Sequence, residues 1–82
     1  MLATVASVTS ANRIKRRSNE FGIYPSVIQT PHSLAKDGCG YSLRFEDDAK
    51  RIIQGVASEL GINLRAFYNE TIENGKRIYT RI

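Results

Sequence analysis

The chain has 82 residues, with 12 Lys and Arg against 8 Asp and Glu, a net charge of +4. At 41% hydrophobic and 24% charged residues it reads as one small globular domain over residues 1–82, not as a disordered or disulfide-stapled chain. One cysteine and one histidine exclude an internal disulfide and a tetrahedral N/S metal cage built by a single copy.

No apolar run approaches the roughly 18 residues needed to cross a bilayer. The first basic residue, Arg13, follows the apolar N-terminal stretch, the reverse of a signal peptide. A soluble, cytoplasmic protein that keeps its thiol reduced is expected, with no membrane contact and no cofactor.

Residues 2–8, LATVASV, alternate and are β-branched-rich, which predicts a strand. Ser7, Thr9 and Ser10 then offer capping hydroxyls. Ala11, Ile14, Ser18 and Phe21 recur at helical spacing, and Gly22 stops the helix. Ile23–Thr30 reads as a second strand, assigned to a sheet edge because Pro25 has no N–H to give. Thr30–Gly40 is a polar connection, and Tyr41–Phe45 a short third strand.

Glu46, Asp47 and Asp48 open the clearest helix, with acids at the positive end of its dipole. Ala49, Ile52, Ile53, Val56, Ala57 and Leu60 give its apolar stripe and Gly61 closes it; Gly55 inside it suggests close packing at that point. Ile62–Glu73 is strand-like, and Asn74-Gly75 predicts a tight hairpin into Lys76–Ile82, with Glu73 opposite Lys76.

The order β-α-β-β-α-β predicts an α+β domain of the ferredoxin-like split β-α-β class. Its antiparallel sheet has the order 4-1-3-2 and two helices on one face, and a C-terminal β-hairpin is added. In that topology the end of the first strand, the start of the first helix and the loop holding Cys39 share one edge of the sheet.

Cys39 lies between Gly38 and Gly40, which remove side-chain bulk around the sulfur. A cysteine reacts as its thiolate, which nearby cations and helix N-termini favour. The residues to support it are Thr9, Ser10 and Arg13 at the first helix, and His32 and Lys36 in the loop, with Asp37 opposing them. The plainer reading of Cys39 is a small buried hydrophobe, although its polar, glycine-flanked setting argues against that. A Cys–His hydrolase needs an orienting group, an oxyanion hole and a cleft, for which 82 residues leave little room. Stand-alone catalysis is not expected.

Several stretches resemble the selenium/sulfur carrier-like family of small bacterial domains. They are Ala6-Ser7-Val8-Thr9, Lys15-Arg16-Arg17, Gly22-Ile23, Thr30-Pro31 with Ser33-Leu34, and Gly38-Cys39-Gly40-Tyr41-Ser42-Leu43-Arg44-Phe45. The resemblance covers about residues 2–68 and is most specific in the Thr-Pro…Cys-Gly-x-x-Leu-Arg-Phe part. It implies a carrier whose Cys39 holds sulfur or selenium as a persulfide or perselenide, serving donor and acceptor proteins. Members commonly carry Arg after the Thr-Pro where this chain has His32, which replaces a permanent cation by a pH-dependent one.

Lys15, Arg16 and Arg17, with Arg13, then read as a docking patch for an acidic partner, or more plainly as the solvated face of a helix. The outer strand of the hairpin suggests a homodimer through its edge, or simply a cover for the core. The competing function is a non-enzymatic binding module for RNA or a small regulatory ligand. RNA is disfavoured, because Tyr41 and Phe45 share a face of the third strand while the first strand has no aromatic.

Overall fold

The computed structural model describes residues 1–34 and 40–82. It is a mixed α+β fold with two helices and a five-stranded antiparallel sheet. Strand β1 (Leu2–Val5) leads into helix α1 (Val8–Asn19), followed by β2 (Ser26–Gln29) and β3 (Tyr41–Arg44). A 3₁₀ turn at Asp47–Ala49 opens helix α2 (Lys50–Leu60), and β4 (Ala66–Glu73) and β5 (Lys76–Arg81) close the chain. The strands lie in the order β2-β3-β1-β4-β5. The sheet therefore has five strands instead of the four of the expected order, because β5 pairs with β4 from Glu73↔Lys76 to Tyr68↔Arg81. Asn74 (φ 51°) and Gly75 (φ 77°) supply the two positive-φ positions of the intervening turn. Strand β2 lies at the other edge, where the strand begins only after the buried Pro25.

Alternation sets the layers. Ala3 and Val5 of β1 and Leu43 of β3, with Phe45 just beyond it, share one core with Ala11 and Ile14 of α1 and Ile53, Val56 and Ala57 of α2. Both helices thus cover the same sheet face. Phe67 of β4 packs against this core and meets Phe45 edge to face, at 6.5 Å between ring centroids. Ser18, on the apolar stripe of α1, is fully buried, and its hydroxyl finds no partner among the described residues.

Several elements differ from the sequence reading, each for a local reason. The first strand ends at Val5 because Ser7 becomes the α1 N-cap: its backbone is extended (φ −145°, ψ 156°) and its Oγ accepts from the Ser10 N–H at 3.2 Å. Thr9 and Ser10 are thereby the first turn of the helix, not its cap. Phe21 lies past the helix end and is 52% exposed, its ring capped by the Arg17 guanidinium at 5.0 Å. The fourth strand starts at Ala66 and not Ile62, since Ile62 donates its N–H to the Ala57 carbonyl (2.8 Å) and Gly61 donates to Ser58 (3.1 Å). That pair closes α2 as a Schellman motif, with Ile62 turned onto the core. Gly55 is exposed, and a Cβ there would meet nothing within 4 Å, so the close packing suggested by its place in the helix is absent.

Candidate functional site

One end of the sheet gathers most of the predicted site residues that the structure describes. Val5, the last residue of β1, pairs with Tyr41 at the start of β3, and Ser7 opens α1 two residues later. Gly40 stands directly before Tyr41. A Cβ built on Gly40 would lie 3.8 Å from the Val5 carbonyl oxygen and 3.5 Å from Thr30 Oγ1. The two ends of the Thr30–Gly40 segment therefore meet beside the end of β1, close to the α1 entrance. Cys39, Lys36 and Gly38 lie outside the described residues.

The two feet of that segment are clamped. Thr30 donates its backbone N–H to the Gly40 carbonyl at 3.1 Å, and the Thr30 and Ser42 hydroxyls are 2.8 Å apart. Ser42 is fully buried on the sheet face away from the helices, so its hydroxyl needs this partner. Gly40 has φ +130°, a backbone conformation that L side chains rarely adopt. Pro31 begins a turn closed by the Leu34 N–H on the Pro31 carbonyl at 2.9 Å, and His32 is exposed within it.

At the α1 entrance the first-turn amides face the same sheet end, and α1 has no acidic residue in its first turn to compete with an incoming anion. Ser10 and Arg13 line a depression of about 440 Å³ there, together with Ala6 and with Arg65, which the sequence reading left out. Arg65 arrives because its backbone N–H bonds the Thr4 carbonyl at 2.9 Å, which ties the entrance of β4 to the end of β1. No local pattern around Arg65 signals this, since the contact depends on strand pairing across more than sixty positions. Thr30 and Ser42 were legible only as hydroxyls flanking a glycine-rich loop.

The basic residues of α1 divide. Arg17 holds α1 to α2 by contacting both Glu59 oxygens, at 2.9 and 3.3 Å, and it also pairs with Glu20. These carboxylates raise its already high pKa further, the Glu20 hydrogen bond most and Glu59 next. Arg13, Lys15 and Arg16 have no ion-pair partner among the described residues. Tyr41 and Phe45 turn toward the helices and pack with the core, so they form no open aromatic platform. Among the described residues no three His, Cys, Asp or Glu side chains gather for a metal ion, and no helix is long and apolar enough to cross a membrane.

A family model described as "Putative Se/S carrier protein-like" matches residues 1–69, from β1 into the first half of β4. The chain belongs to this family. Comparison with curated proteins and with solved structures gives no significant match. The family segment contains Cys39, the Thr30–Ser42 clamp, Gly40 and the whole α1 entrance, while β5 and the second half of β4 lie beyond it.

Proposed function

We propose that this protein is a sulfur or selenium carrier that accepts the atom on Cys39 and passes it to an acceptor protein. The observation that carries this reading is the family match over residues 1–69, a segment holding the single cysteine of the chain. The clamped feet at Thr30 and Gly40 support it, since Gly40 lies beside the Val5 carbonyl at the end of β1 and directly follows Cys39 in the chain.

The transfer needs no oxidant. The Cys39 thiolate attacks the terminal sulfur of a donor persulfide; a new S–S bond forms as the donor's S–S bond breaks, and the donor leaves as its thiolate. The product is a Cys39 persulfide, and the selenium version is the matching perselenide. In this scheme the anionic forms are favoured by the α1 N-terminus, with Thr9 and Ser10 in its first turn, by Arg13, and by Lys36 and His32 of the loop. Gly38 and Gly40 carry no side chain to crowd the sulfur between them. Lys15 and Arg16 belong to the surface offered to partners, whereas Arg17 is engaged by Glu20 and Glu59. No cofactor or stand-alone catalytic site enters this scheme.

The same reading takes the fold as ferredoxin-like with a C-terminal hairpin. In support, the strand order read inward from the β5 edge is β4-β1-β3-β2, with both helices on one face. A cytoplasmic setting goes with it, because a carrier thiol has to stay reduced. Homodimerisation through the β5 edge is opposed by charge. Antiparallel self-pairing about Ile78 and Tyr79 sets Lys76 against Arg81 of a second copy, and like charges directly opposite repel.

Incubation with a cysteine desulfurase and radiolabelled cysteine tests the function. Label bound to the wild-type chain, absent from Cys39→Ser and released by a reducing thiol supports it. Equal labelling of the two proteins, or none of either, overturns it.

A further inference from the structure

The outer seam between α1 and α2 carries a surface that extends well beyond the residues assigned to the sulfur. One depression of about 470 Å³ is lined by Thr9, Arg13, Arg16, Leu60 and the ion-paired Arg17 and Glu20. The depression of about 440 Å³ at the α1 entrance adjoins it, because Arg13 and Leu60 line both. Together they form a trough that runs from the α1 entrance along the seam, with Leu60 and Ile62 as its half-buried apolar lining.

The charge of the trough follows from its ion pairs. Glu20 and Glu59 both close on Arg17. Arg13 and Arg16 on one wall and Arg65 near the α1 entrance are exposed and have no ion-pair partner among the described residues. A row of guanidinium groups with no ion-pair partner among the described residues, beside an apolar lining, matches carboxylates that flank an apolar side chain. It matches a nucleic acid strand poorly, since none of the residues lining the trough is aromatic and a base has nothing to stack on.

We propose that this trough docks an acidic segment of a partner protein, with carboxylates on Arg13, Arg16 and Arg65 and one apolar side chain against Leu60 and Ile62. Ala6 lines one end of the trough and follows Val5, whose carbonyl lies beside Gly40, so a segment seated there brings its protein close to the residue that follows Cys39. The proposal rests on the carrier reading for the purpose of docking and not for the binding itself.

The test is an NMR titration of the full-length, ¹⁵N-labelled chain with a capped synthetic peptide in which glutamates flank a central leucine pair. A lysine-for-glutamate peptide and an oligouridylate are the controls. The expected result is saturable shifts at Thr9, Arg13, Arg16, Leu60 and Ile62, weakened by salt as screening at about 0.15 M requires. Arg13→Glu and Arg16→Glu, which break no ion pair among the described residues, are expected to weaken binding by about tenfold or more. Cys39→Ser is expected to bind as the wild type does, which separates failure of docking from failure of sulfur transfer. Shifts confined to the sheet face away from the helices, equal binding of the lysine peptide, tighter binding of the oligouridylate, or occupation of the trough by a second copy would each overturn the proposal.

Discussion

The Thr30 hydroxyl lies 2.8 Å from the Ser42 hydroxyl, joining the end of β2 to β3 at the base of the segment that bears Cys39. Because Ser42 is fully buried, Thr30→Val leaves a hydroxyl without a partner. The expected loss is about 1–2 kcal/mol of unfolding free energy, measured by urea denaturation. Thr30→Val with Ser42→Ala should recover part of it, since no unpaired hydroxyl remains. A double variant as unstable as the sum of the two single variants would show that the hydroxyls do not act as a pair.

Gly40 allows no side chain, for a backbone reason. Its surroundings offer only ordinary contacts, at 3.5 and 3.8 Å, but φ of +130° strains any L residue. Gly40→Ala is expected to cost about 1–3 kcal/mol. It should also slow sulfur loading, because the segment's return to the sheet shifts. Unchanged stability and loading would contradict the placement of Gly40.

Gly55 gives the opposite expectation. It sits inside α2, exposed and with open space where a Cβ would go. Gly55→Ala should stabilise the protein by about 0.5–1 kcal/mol, seen as a higher denaturation midpoint. A loss would mean that this helix face is covered.

Glu70 couples the sheet face away from the helices to pH. Burial pushes its carboxyl up. The Arg44 guanidinium outweighs this through contacts at 2.7 and 3.0 Å, and Tyr79 and Arg77 add to it, so the pKa falls below the ordinary 4.5. A depressed folded-state pKa contributes stability above the ordinary value and loses it as pH falls through the lower one. Glu70→Gln should therefore be less stable than the wild type near neutral pH, with the gap closing in acid. A gap that is independent of pH would assign the loss to packing.

Most of the architecture was legible in the sequence, because periodicity and turn chemistry report local preference directly. The stripe Ile53, Val56, Ala57 and the Asn74-Gly75 turn are such signals. Boundaries were less legible where one residue served two purposes. Ser7 could continue a strand or cap a helix, and the first-turn amides decided for the cap. Ile62 continued an alternating pattern, yet its N–H was claimed by Ala57. At the candidate site, Ser10 and Arg13 came from the predicted topology, whereas Arg65 and the Thr30–Ser42 clamp follow from pairing between strands distant in sequence. Arg17 looked like part of the basic patch, but Glu59, more than forty positions away, makes it a tie between the helices.

Peptide mass spectrometry after incubation with a cysteine desulfurase and cysteine shows whether Cys39 carries the transferred atom. A gain of one sulfur atom on the Cys39 peptide, reversed by dithiothreitol, is expected. An unmodified Cys39 that alkylates freely after the same incubation would contradict it.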